Sequence, residues 1–338
     1  MYSGGNVAAP ARILVLNLGP LSHAVFMLPA LKALRERFPA AEVTVAATRM
    51  SCELLALTPF PSNMVAIERW EPGKLYLPWM AYRAVKFVHE IGSRSYDAII
   101  DFHVSLGRSF VLWWLANRQR FPIGPPSGLW EILIRQLREK PNPHKHFVDR
   151  FLDQLKPLGI KATDRVPRLS TDPSSDVRAG EILKSKRVER GEILIGLDPF
   201  PEAGAPFRPS DFYADLARRL VNTFEVRPLL VGTRRTLSAV LSRFPRQTLA
   251  LRLNALSEIV SVLARLTLMI SEDSAYGHIA AALGVPTIMI GCPITRKPLG
   301  EQHQFINPFG SPTVTVGDIF SMAVEMLRHM RTTALFER

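Results

Sequence analysis

Cysteine is almost missing from this chain: Cys52 and Cys292 are the two present in 338 residues. They stand far apart, with no C-x-x-C and no Cys/His ligand spacing, so neither a disulfide framework nor a motif-encoded metal site is expected. Long apolar runs are missing too. None approaches the ~20 residues that a bilayer-spanning helix needs. The opening Met1–Ala11 lacks a basic stretch followed by an apolar core and does not read as a secretory signal. No G-x-G-x-x-G is present, which argues against a dinucleotide site. Acidic residues are the scarcer charge, at 30 Asp and Glu against 42 Lys and Arg. The resulting net charge of +12 is uneven: residues 1–170 hold 22 basic and 13 acidic side chains, and the remainder holds 20 and 17. A basic first half favours anionic partners, although no nucleic-acid motif accompanies it and specific nucleic-acid binding is not expected.

What is present is the pattern of a globular α/β protein. Hydrophobic residues make up 47% of the chain and charged residues 21%. The length suits two domains, and the expected division is 1–170 and 171–338, with a proline-marked linker over Lys161–Ser175. Buried parallel strands read as apolar runs at Arg12–Leu18, Glu42–Ala47, Tyr96–His103, Ile193–Leu197, Val226–Val231, Leu266–Ile270 and Thr287–Ile290. Helical periodicity appears over Phe26–Phe38, Phe147–Leu158, Asp176–Arg190, Phe207–Leu220 with a stripe of Phe212, Leu216 and Leu220, Ser257–Leu266, and the terminal stripe Ile319, Met322, Ala323, Met326, Leu327, Met330. Alternating strands and helices predict parallel sheets in both halves.

The most informative stretch is Ile270–Pro293, I-S-E-D-S-A-Y-G-H-I-A-A-A-L-G-V-P-T-I-M-I-G-C-P. It reads as strand, loop, helix, strand. Glu272-Asp273-Ser274 form the loop, and Asp273 or Ser274 is suited to cap the helix that follows. Gly284 ends that helix and Pro286 prevents its return. A helix start at the carboxyl end of a parallel strand offers unpaired N–H groups and a partial positive charge, a natural place for phosphate. The plainer alternative is a cap with His278 packed inside. After Pro293, Thr295-Arg296-Lys297 reads as a mobile basic loop.

D-S-x-x-x-H-x-A-A-A-L-G-V-P-T followed by G-C-P resembles the signature of glycosyltransferase family 9, which contains the ADP-heptose:lipopolysaccharide heptosyltransferases. The family pattern is D-[ST]-G-x-x-H, so Ala275 stands where glycine is usual. The resemblance extends to the opening strand–loop–helix around Leu28-Pro29-Ala30-Leu31 and to Y-D-A-I-I-D-F-H at 96–103. It implies a GT-B fold: two Rossmann-like domains with parallel sheets facing a cleft. The first domain would take an acceptor and the second a nucleotide-sugar. Activity would be inverting transfer of heptose from an ADP-heptose-like donor to an anionic lipopolysaccharide core or related glycolipid. No metal, cofactor or D-x-D motif is involved.

By the same resemblance Asp273, Ser274, Ala275, Tyr276 and His278 line the donor site. The family's lysine that pairs with donor phosphate falls on Ala205 or Pro206, and Arg208 is placed to supply that charge. Aligned on Leu28–Leu31, the family's general-base aspartate falls on His23. A neutral imidazole also accepts a proton near neutral pH. Asp101 is the second catalytic candidate, and Ser22, His103 and Lys145 are acceptor-side candidates. At His23 two readings stay open: a base, or a loop histidine without chemistry in a catalytically impaired member that acts as a nucleotide-sugar-binding or scaffold protein. A cytoplasmic location is expected, with peripheral contact at the inner face of the membrane left open.

Overall fold

The computed structural model describes residues 10–67, 96–102, 142, 144–189, 191–202, 208–232, 234–251, 255–306 and 314–336. The chain divides into two compact units, Met1–Arg165 and Val166–Arg338. The segments expected to carry an irregular aromatic and basic insertion, and the helix expected at Ser109–Ala116, lie outside the described residues.

In the first unit, β1 (Arg12–Asn17), β2 (Glu42–Thr48), β3 (Asn63–Ile67) and β4 (Ala98–Asp101) form a parallel sheet in the order β3-β2-β1-β4. From Ile13 onward every residue of β1 is buried, as the unbroken apolar run requires of a strand covered on both faces. The registers Leu16↔Asp101 and Asn17↔Ala47 place β4 and β2 on either side of its carboxyl end.

The segment after β1 departs from expectation. Leu21–Phe26 is a short helix, α1, so Ser22 and His23 are helical and not loop residues. The helix expected at Phe26–Phe38 runs as a separate α2, Leu28–Arg37. Pro29 explains the break, since it has no N–H to offer the carbonyl of Val25 and is comfortable only in a helix's first turn. Arg49–Leu55 forms α3 and Phe147–Asp153 forms α4, followed by a 3₁₀ turn at Lys156–Leu158 that accommodates Pro157.

The second unit opens with α5 (Pro173–Ser185), capped by Asp172. Its strands are β5 (Ile193–Asp198), β6 (Val226–Leu230), β7 (Leu249–Ala250), β8 (Leu268–Glu272), β9 (Thr287–Ile290) and β10 (His303–Ile306). All pairings are parallel, in the order β10-β9-β8-β5-β6-β7. The helices are α6 (Ser210–Thr223), α7 (Arg234–Val240), α8 (Leu256–Leu263), α9 (Ala275–Ala282) and α10 (Val316–Phe336). Ala255 occupies the cap position of α8, which begins one residue before the expected start at Ser257. The core gathers Ile195, Leu197, Leu230, Leu268, Ile270, Ile288 and Ile290 from the sheet with Tyr213, Leu216, Ala217 and Leu220 of α6 and Ile319, Ala323 and Leu327 of α10. In α6 it is Tyr213 that is fully buried; Phe212, expected in the stripe, is only half-buried.

The approach of α9 to the sheet depends on Gly277. A Cβ there would lie 2.6 Å from Ser271 Oγ and 3.0 Å from Met289 Cε. Gly277→Ala gains ~1 kcal/mol of helix propensity but forces these atoms apart, at ~1–3 kcal/mol for an overpacked site. The expected result is a net fall in the unfolding midpoint by denaturant titration; an unchanged or raised midpoint would show that the helix seats itself without this contact.

Candidate functional site

Both sheets reverse direction at one place. In the second unit the chain leaves β5 for β6 and β7 on one side, then returns to β8, β9 and β10 on the other, so the adjacent carboxyl ends of β5 and β8 form the switch point where open α/β sheets bind ligands. In the first unit the same argument selects the carboxyl ends of β1 and β4.

At the β5/β8 point the side chains are polar and mutually bonded. Ser274 caps α9: its Oγ accepts from the Gly277 N–H at 3.1 Å and donates to Asp198 Oδ2 at 2.6 Å. Ser271 Oγ lies 2.9 Å from Ser274 Oγ. Asp198, the last residue of β5, also accepts from the Phe200 N–H at 3.0 Å. Burial pushes its carboxyl up to about 7, against the Ser274 and Phe200 hydrogen bonds, which favour the charged form. Asp273 Oδ1 sits 2.9 Å from His278 Nε2, and its Oδ2 forms an ion pair with Arg296 Nε at 3.2 Å. Arg296 in turn donates from Nη2 to Glu202 Oε2 at 2.6 Å, and the Asp273 carbonyl accepts from the Glu202 N–H.

Of the donor-side residues read from the sequence, Asp273, Ser274 and His278 are all buried and hold the corner together from inside. Ala275 and Tyr276 are half-buried and begin the helix. Their N–H groups lie in the first turn, where no intrahelical acceptor exists, and neither bonds to another described residue. Arg187 is the one non-glycine with positive φ among the described residues, so Ala275 keeps an ordinary helical backbone and the family's usual glycine is not demanded by conformation. Arg208 lies beside the corner, its Nη1 within 3.4–3.5 Å of the Glu272 carboxylate. The loop with Ala205, Pro206 and Phe207 lies outside the described residues.

Two expectations are corrected. Glu272 is not a loop residue: it ends β8 and is fully buried, which Arg208 and the Tyr213 hydroxyl make tolerable. Arg296 is not part of a freely moving basic loop, because two carboxylates hold it and its side chain is 17% exposed. Sequence reading also passed over Asp198, Tyr213 and Glu202. For Asp198 a signal existed, an acid at the carboxyl end of a buried strand; the partners of the others lie too far along the chain to be seen.

The fold also assembles a donor set that spacing does not reveal. Single ligand atoms of Asp273, His278 and Cys292 lie within 4.8 Å of one another, a grouping able to hold a metal ion. Both oxygens of Asp273 are already engaged by His278 and Arg296, however. Burial, with the Asp273 carboxylate as a lesser cause, keeps the Cys292 thiol above the usual thiol range. As it stands, the cluster is a hydrogen-bonded charge network.

In the first unit, His23 is 6% exposed and packs its ring 4.8 Å from Phe147 and 5.9 Å from Phe151, centroid to centroid. Gly19 makes room for it: a Cβ at that position would lie 2.3 Å from His23 Nδ1. Ser22 is fully buried and Asp101, at the end of β4, is 5% exposed. Ser22 and His23 lie in the helix that follows β1 and Asp101 ends β4, so all three belong to the segments around the β1/β4 carboxyl ends. Lys145 does not join them there as a spare charge, since it is ion-paired to Asp153. His103 lies outside the described residues.

The family model of glycosyltransferase family 9 (heptosyltransferase) matches residues 84–295. The chain belongs to glycosyltransferase family 9. Solved structures agree in fold. A family 9 glycosyltransferase from Veillonella parvula is similar over 94% of this chain and 97% of its own, with a TM-score of 0.77 and 15% identity. The E. coli heptosyltransferase WaaC, solved with ADP-2-deoxy-2-fluoro heptose, gives 0.69 and 16% over 93% and 99%. The E. coli ADP-heptose lipopolysaccharide heptosyltransferase II gives 0.69 and 18% over 95% and 99%. No curated protein sequence matches the chain. This family 9 member is thus a glycosyltransferase with two parallel-sheet α/β domains of the GT-B kind.

The near-neutral carboxyl of Asp198 makes a stability prediction. Between about pH 4 and 7 the folded chain retains a proton that the unfolded chain has released, so stability falls as pH rises through that window. Asp198→Asn removes this dependence. Its melting temperature relative to wild type should therefore rise from pH 5 to pH 8; a difference that stays flat would place the Asp198 carboxyl in the ordinary acidic range.

Proposed function

We propose that this protein transfers a sugar, heptose from an ADP-heptose-like donor, to an anionic lipopolysaccharide core or a related glycolipid, with inversion and without a metal. The single observation that carries the donor side is the β5/β8 corner: two first-turn N–H groups, at Ala275 and Tyr276, open beside the guanidinium of Arg208. Amides and an arginine together suit a diphosphate leaving group, whose charge grows as the glycosidic C–O bond breaks. Asp273, Ser274 and His278 act on this reading by holding the corner's shape. The family membership and the nucleotide-sugar named in the E. coli WaaC structure support ADP-heptose as the donor class.

On the acceptor side, His23 is the proposed base and Asp101 its neighbour at the β1/β4 ends. The acceptor hydroxyl loses its proton to the imidazole as its oxygen bonds the anomeric carbon, and ADP leaves with the electron pair of the broken bond. Ser22 and His103 are the proposed acceptor contacts, Lys145 reaching an acceptor only by giving up its ion pair with Asp153, and the basic excess of residues 1–170 suits an anionic glycolipid. Among the described residues no helix is long and apolar enough to cross a membrane. A cytoplasmic enzyme meeting its acceptor at the inner membrane face fits this reading.

The packing of His23 against Phe147 and Phe151 favours a second reading, in which the corner binds a nucleotide-sugar but the base is unavailable. Calorimetry with ADP, and donor turnover with ADP-heptose, separate the two. On the first reading wild type binds ADP and turns the donor over, and His23→Ala lowers the rate by ~10²–10⁴, the range for a general base, with ADP affinity unchanged. Equal rates in wild type and variant remove His23 as base. Binding without turnover supports the second reading, and absence of ADP binding overturns both.

A further inference from the structure

Glu272 ends β8 with its side chain fully withdrawn from solvent. A carboxylate in that position is strongly unfavourable unless it is matched by charge and hydrogen bonds. Its partners come from one short segment. Oε1 accepts from the Tyr213 O–H at 3.0 Å and from the Arg208 N–H at 3.2 Å. The Arg208 Nη1 lies 3.5 Å from Oε1 and 3.4 Å from Oε2. The carboxylate thus holds Arg208 twice, by its backbone and by its guanidinium, at the point where the chain enters α6. Phe212 supports the same guanidinium from its ring face, with Cζ 5.6 Å from the centroid. Tyr213 is fully buried one turn into α6, so its hydroxyl is a fixed point and not a swinging one.

A guanidinium offers five N–H donors in a rigid fork. Only Nη1 is engaged here: among the described residues, Nε and Nη2 of Arg208 have no hydrogen-bond partner, and the side chain is 22% exposed. The free edge is the one that binds a phosphate through two parallel hydrogen bonds. Glu272 lies two residues before Ser274, the cap of α9, so the fork and the first-turn amides belong to the same strand end.

We propose that Glu272, assisted by Tyr213, is a positioning residue that sets the Arg208 fork for the diphosphate of a nucleotide ligand, and so confers preference for a nucleoside diphosphate over a monophosphate. The inference rests on the donor-site reading above and adds to it the origin of the phosphate selectivity. Glu272 does not touch the ligand; it fixes the edge that does. The role separates from simple anchoring of α6 because anchoring affects folding, whereas positioning affects the ratio of two affinities measured on folded protein.

The experiment is calorimetric titration of the full chain with ADP and with AMP, well below the melting temperature of each variant. Wild type should bind ADP more tightly than AMP. Arg208→Ala and Glu272→Leu should each lower ADP affinity by roughly 10- to 100-fold, the range for a lost hydrogen bond to a charged group, and leave AMP affinity within about threefold. Glu272→Gln keeps an acceptor oxygen and should recover most of the preference. Should the leucine variant fail to fold, Glu272→Asp withdraws the carboxylate by one methylene, and the same loss of preference is expected. If Arg208→Ala loses the preference while the Glu272 variants keep it, the positioning role is overturned and the donor site stands. If wild type binds ADP no better than AMP, the donor-site reading falls and takes this inference with it.

Discussion

The hydrogen bond from Ser274 to Asp198 is the contact on which the second unit's working edge depends. It joins the end of β5 to the start of α9 across the place where the sheet changes direction. Both groups are buried, and each has further duties: Ser274 caps the helix, and Asp198 holds the turn at Phe200. Around this link the acidic side chains are arranged in pairs with bases, Asp273 with His278 and Arg296, Glu272 with Arg208. Such burial of charge is stable only while every partner stays in place. The side chains of the corner are therefore held by one another, leaving the Ala275 and Tyr276 amides and one edge of Arg208 outside that network among the described residues.

The first unit repeats the topology with a different set of side chains. The segments around its switch point carry Ser22, His23 and Asp101, but the histidine is embedded among phenylalanines from α4. On the proposed function the two edges divide the labour, one meeting the negative charge of the donor and the other the hydroxyl of the acceptor.

Much of the fold was legible because buried parallel strands leave unbroken apolar runs, as at Ile13–Leu16 and Thr287–Ile290. The β8–α9–β9 corner was legible for a further reason: cap, glycine stop and proline are local devices with fixed spacing. The failures are local ambiguities or non-local facts. Leu21, Ser22 and His23 read as a continuation of the loop at Gly19 and Pro20, yet Pro20 occupies the cap position of α1 and the helix starts directly after it. The strand β10, His303–Ile306, is an edge strand of four half-buried residues with no alternation to detect. Glu272 looked like loop because burying an acid is unfavourable; what makes it tolerable comes from Arg208 and Tyr213, 64 and 59 residues away. Lys145 looked available until Asp153 was found beside it.

The alanine at position 275 carries a consequence beyond its tolerance. With an ordinary helical backbone there, the first turn of α9 has given up the wide rotational freedom that a glycine retains in the unbound chain. On the proposed donor role, less disorder is left to lose when a phosphate binds at these amides. The close approach that a missing side chain allows has moved half a turn onward, to Gly277, where it serves the seat of the helix against the sheet instead of the visitor.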